Sequence, residues 1–103
     1  MMTQEFTLDY GIEHGGKLHC EGEMRLPTME DVENALEETE ADACRARIDR
    51  HTWARTITRL GTIPNEEITP ELLATAVDSD YGILAEAEKT LRKKRKALKD
   101  DPQ

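Results

Sequence analysis

Aromatic side chains are scarce in this chain, with one Trp, one Phe and two Tyr among 103 residues. Leu, Ile, Val and Phe together number only nineteen. So few large apolar side chains exclude a thick core, and Ala and Met must fill much of whatever interior forms. Long apolar runs are missing as well. No stretch approaches the roughly 20 residues that a membrane-spanning helix needs. The N-terminus carries Glu5 and Asp9 in place of a basic, apolar leader, so the expected location is the cytoplasm. In that compartment the two cysteines, Cys20 and Cys44, are expected as reduced, partly buried thiols.

The motifs that carry chemistry are absent too. His14, His19, Cys20, Cys44 and His51 are the soft metal ligands available, and they show neither C-x-x-C nor H-E-x-x-H spacing. Solvated hairpin histidines are the simpler reading of His14 and His19. There is no G-x-x-x-x-G-K-[ST], no G-x-G-x-x-G and no G-x-S-x-G, so phosphate cradles and nucleophile elbows are not expected. Glu37, Glu38 and Glu40 form a run of acids that reads as the solvated face of a helix. The expectation is a non-catalytic protein with no metal, no cofactor and no catalytic residue.

Charge is plentiful, and it is unevenly placed. The net charge is -8, and residues 1 to 44 hold twelve acids against Lys17 and Arg25. Residues 45 to 103 hold ten acids against twelve Lys and Arg, which makes the molecule electrically two-sided. A sequence pI of about 4.8 argues against a general nucleic-acid binder, whose domains typically exceed a pI of about 9.

The local pattern predicts an α+β fold. Phe6, Leu8, Tyr10 and Ile12 alternate with polar residues and glycine, as in a half-buried strand, and Gly15-Gly16 supplies a tight turn. Leu18, Cys20, Gly22, Met24 and Leu26 continue the alternation, giving an antiparallel hairpin over 5–26 whose apolar face must meet helices or another sheet edge. Pro27 ends the second strand and Thr28 is a good N-cap, with Glu30 and Asp31 in the first turn. The helix that follows has Met29, Val32 and Leu36 on an apolar stripe opposite an acidic side.

From Asp42 to Leu60 there is neither Gly nor Pro. Trp53, Ile57 and Leu60 share a face at 3.6-residue spacing while Ile48 points elsewhere, which predicts a helix that is bent or has two buried faces. Gly61 suits the left-handed residue that closes such a helix. Thr69-Pro70 is an N-cap followed by proline at the first helical position. Asp78-Ser79-Asp80 can end that short helix and cap the next, in which Leu84, Ala87, Leu91 and Leu98 lie on one side. The expected architecture is therefore an N-terminal hairpin followed by about four helices across 29–98. It forms a single small domain over 1–91 and a charged, frayed, flexible basic tail over 92–103.

Several of these pieces recur in one order: Glu23-Met24-Arg25-Leu26-Pro27-Thr28-Met29-Glu30-Asp31-Val32, then Arg59-Leu60-Gly61, Ile68-Thr69-Pro70-Glu71-Leu72-Leu73 and Asp80-Tyr81-Gly82-Ile83-Leu84. Together they resemble the Mu-like phage tail-assembly chaperone family. There a short hairpin leads through an Arg-x-Pro-Thr-x-x-Asp-like segment into helices, and an Asp-Tyr-x-x-Leu-like segment lies near the C-terminus. The resemblance spans about residues 6 to 91. It departs from the family at the arginine-rich segment from Asp42 to Leu60 and at the basic C-terminal run.

The resemblance implies a role in tail morphogenesis: holding the tape-measure protein soluble and helping to recruit tail-tube subunits, without turnover. The residues weighed for partner binding are Trp53 and Ile57, which at helical spacing serve a core more often than an interface, and the basic run Arg92, Lys93, Lys94, Arg95 and Lys96. Two rival readings are a small regulatory nucleic-acid-binding protein using the Arg45-to-Arg59 face and the tail, and a toxin–antitoxin-type or generic interaction adaptor.

Overall fold

The computed structural model describes residues 1–99. Strand β1 (Thr3–His14) and strand β2 (Lys17–Arg25) form the expected antiparallel hairpin. The turn between them is made by Gly15 and Gly16, with φ of 63° and 77°, the left-handed pair that a two-residue hairpin loop requires. After the hairpin come helix α1 (Met29–Glu38), helix α2 (Arg45–Thr56), strand β3 (Ile57–Leu60), a 3-10 turn at Asn65–Glu67, helix α3 (Pro70–Leu73) and helix α4 (Asp80–Lys99). The four helices and the mixed α+β class agree with the sequence reading. So do the starts of α1 and α3: Thr28 and Thr69 accept hydrogen bonds from the backbone N–H groups of Asp31 and Leu72.

The segment from Asp42 to Leu60 is not one helix. It turns helical at Arg45 and switches at Ile57 into β3, which pairs antiparallel with β2 to complete a sheet of order β1-β2-β3. The β-branched run Thr56-Ile57-Thr58 favours extended backbone, and the open edge of β2 supplies the hydrogen-bond partners that a longer helix would forgo. Gly61 does adopt the left-handed conformation, with φ of 56°, but it ends a strand instead of a helix.

A large bulge corrects the simple alternation of β1. Thr7 pairs with Glu21 and Ile12 with His19, so four residues of β1 oppose only Cys20. Gly11, with φ of 82°, carries the kink, and a Cβ there would lie 2.7 Å from Cys20 Sγ. The shift turns Tyr10 outward while Gly11 and Ile12 are both buried. Three successive bulge N–H groups, from Asp9, Tyr10 and Gly11, donate to the carboxylate of Asp80 at 2.9, 3.2 and 3.1 Å. Asp80 is fully buried at the start of α4. It therefore anchors the bulge across the fold, where the sequence suggested a local helix cap.

The phase of β2 is altered too, with Leu18 exposed and His19 buried. Instead of standing in solvent, His19 donates from Nε2 to the His14 carbonyl at 3.1 Å and accepts at Nδ1 from the Thr62 N–H at 3.3 Å. This ties the hairpin turn to the loop after β3. The fully buried side chains of Ile12, Met24, Leu60 and Leu91 come from β1, β2, β3 and α4, so the core lies between the sheet and α4.

Candidate partner-binding surface

Helix α1 is attached to the body by polar contacts. Arg25 at the end of β2 donates to both carboxylate oxygens of Asp31, at 2.6 and 3.1 Å. Asp31 Oδ2 also accepts from the Thr28 N–H at 2.8 Å, completing a capping box. The Arg25 guanidinium and these hydrogen bonds hold the Asp31 carboxyl down at about 2. At the other end of the helix, Glu38 meets His51 and Arg55 of α2, and both contacts hold its carboxyl below the ordinary range. Ala35 is the one apolar side chain of α1 that is buried.

This attachment turns the apolar stripe of α1 away from the core. Met29 is 82% exposed, Leu36 52% and Val32 38%. The stripe borders a groove between α1, α2 and α4 of about 280 Å³, whose walls include Pro27, Val32, Leu36, Ile48 and Thr52. Glu88 and Arg92 also line it, and Arg92 donates to Glu88 at 2.9 Å. The same helix carries the exposed acids Glu30, Glu33 and Glu37. Such a surface fits a helix that carries an apolar stripe with basic flanks.

The residues weighed from sequence do not converge on this groove. Trp53 and Ile57 are 4% and 5% exposed and belong to the core, so they are not presented to a partner. Trp53 donates from Nε1 to Glu88 at 2.9 Å, and its ring lies 5.0 Å from that of Tyr81. Tyr81 in turn donates to Asp49, which, together with burial, pushes its phenol up to about 12. This network joins α2 to α4.

Arg92 lines the groove, whereas Lys93, Lys94, Arg95 and Lys96 continue along α4 past Leu91, the last buried residue of the helix. Helix α4 extends to Lys99, and Lys94 donates to Gln4 at 2.7 Å. The part of the expected tail over 100–103 lies outside the described residues. Leu98, on the same side as Leu84 and Leu91, is exposed. Sequence reasoning missed the outward face of α1 because a stripe at i, i+3 and i+7 normally marks a buried side. The available signal was Arg25-x-x-x-x-x-Asp31, a pair that can hold the polar side inward.

Cys20 is partly buried and Cys44 exposed, and both are free thiols. No helix among the described residues is long and apolar enough to cross a membrane. Among those residues, no three His, Cys, Asp or Glu side chains cluster as a metal site would require. No protein-family model matches the chain, and no curated protein or solved structure is similar enough to count as a match.

Proposed function

We propose that this chain is a non-catalytic assembly chaperone of the Mu-like phage tail type, working in the bacterial cytoplasm. In this reading it binds a helical segment of the tape-measure protein and helps to recruit tail-tube subunits. The observation that carries it is the outward apolar stripe of Met29, Val32 and Leu36 beside the groove. A tape-measure protein is long and helical, and its apolar stripes aggregate unless they are covered. The acids Glu30, Glu33 and Glu37 select segments with Lys or Arg beside the stripe.

Co-expression with the tape-measure protein encoded nearby tests the reading. A soluble complex that survives affinity purification is expected, and Leu36→Glu is expected to abolish it. A tape-measure protein equally insoluble with and without this chain sinks the proposal. Concentration-dependent self-association that buries Met29 and Leu36 would assign the groove to a second copy.

A second reading rests on the exposed basic end of α4, where Arg92 to Lys99 place six cations on two helical turns. That surface could track phosphates. Fluorescence anisotropy with duplex DNA separates the two readings. Micromolar binding that weakens steeply with salt, and is lost on deleting 92–99, would favour nucleic acid.

A further inference from the structure

The groove beside α1 is charged differently along its two walls. On α4, Glu88, Arg92, Arg95 and Lys99 recur at intervals of three and four residues and so form one row. Glu88 and Arg92 line the groove itself. Leu91 is the last buried residue of α4, so the exposed helix from Arg92 to Lys99 carries this row about 12 Å beyond the core. Lys94, on another side of the helix, donates to Gln4, which pairs with Met24 near the end of β2. The overhang therefore leaves the body where β2 hands over to α1. Its cations outnumber Asp100 and Asp101, which follow in the sequence.

The α1 wall has the opposite sign. An adjoining opening is lined by Thr28, Met29, Val32, Glu33 and Arg92, which places Glu33 next to the apolar stripe. Glu30 and Glu37, three residues before and four after Glu33, continue its row. Among the described residues these three acids make no ion pair, and neither do Arg95 and Lys99. The apolar stripe thus has an acidic flank along α1 and a cationic overhang at the end where α1 begins.

We infer that the groove takes the C-terminal turns of a partner helix, lying antiparallel to α1 with its last turn on Arg95 and Lys99. The inference rests on the chaperone reading for the kind of partner, and adds which end of the helix is held and in which direction. The last carbonyls of a helix have no intrahelical donor and carry the negative end of its dipole, so the cations of the overhang suit that end. A helix lying the other way would set its positive end against the same cations. Lys or Arg beside the apolar stripe of the partner then meets Glu33 and Glu37.

The full chain is titrated with a designed helical peptide that has a leucine stripe and a lysine row beside it, made with a free C-terminal carboxylate or with a C-terminal amide. The carboxylate form is expected to bind about three- to fivefold tighter at low salt, an advantage that disappears by about 0.5 M salt. Replacing both Arg95 and Lys99 by Gln, at two exposed positions, should remove that advantage. A nitroxide on the peptide C-terminus is expected to broaden the amide signals of Arg92 to Lys99, and one on its N-terminus those of Glu37 and Glu38. Equal affinity of the two forms, or broadening in the reverse order, overturns the proposal, while loss of that binding in Leu36→Glu leaves the groove reading standing. Binding by neither form overturns it as well, and co-expression with the tape-measure protein then decides the groove reading separately.

Discussion

The sheet with α4 and the helix α1 are held by opposite means. Between the sheet and α4, fully buried Ile12, Met24, Leu60 and Leu91 give a dry apolar core, with Asp80 as a buried polar anchor. Helix α1 is joined through Arg25–Asp31, its capping box and the Glu38 contacts, and its larger apolar side chains face solvent. Polar contacts fix direction and register at modest net stability, so they can hold an apolar surface outward without consuming it. An apolar attachment of the same helix would bury the stripe and remove the groove.

The sharpest way to break this contrast is at Asp80. Asp80→Ala leaves three bulge N–H groups without their acceptor, and a loss of about 3–5 kcal/mol is expected from urea unfolding followed by circular dichroism. A loss below about 1 kcal/mol would mean that the bulge does not depend on this carboxylate.

Asp31→Ala tests the other attachment, with an expected loss of about 2 kcal/mol concentrated in faster amide exchange across α1. The same clamp gives a pH signature. The folded Asp31 carboxyl titrates at about 2, below its unfolded value, so its contribution is fully present above about pH 4. It is lost as pH falls towards 2. Acid unfolding of Asp31→Ala should therefore lack the part of the stability loss that the parent chain shows between those values.

Thr56 gives a smaller effect of the opposite sign. Its hydroxyl is fully buried at the junction of α2 and β3 and has no hydrogen-bond partner among the described residues, so Thr56→Val should stabilise by up to about 1 kcal/mol in the same unfolding assay. Destabilisation would point to a buried water bonded to that hydroxyl.

The smallest effect on folding is expected at the apolar face of α1. Leu36→Glu should change stability by less than about 0.5 kcal/mol, because the side chain is half exposed. A cost above about 1 kcal/mol would show that Leu36 packs as core does, and the contrast between the two regions would fail.

Much of the fold was legible because it is locally encoded. The alternation through Phe6 and Leu8, the Gly15-Gly16 turn, and the caps at Thr28 and Thr69-Pro70 each depend on a few neighbouring residues, and each appears as read. The candidate surface was much less legible. Helical spacing grouped Trp53 with Ile57 and Leu60, yet Trp53 lies on α2 while the other two lie on β3. The basic run was visible as charge on a helix expected to reach residue 98, and α4 runs to Lys99.

The sequence by itself determined the hairpin, the starts of α1 and α3 and the separation of acidic from basic halves, because turn geometry, capping and charge act over a few residues. Only the tertiary structure decided the rest. Ile57 to Leu60 became a strand because β2 offered an unpaired edge. Tyr10 turned outward because Asp80, some seventy residues away, captured the bulge. Met29, Val32 and Leu36 stayed in solvent because Arg25 and Asp31 fixed the rotation of α1. In each case a local preference was too weak to choose between alternatives, and a hydrogen-bonding partner brought close by folding made the choice.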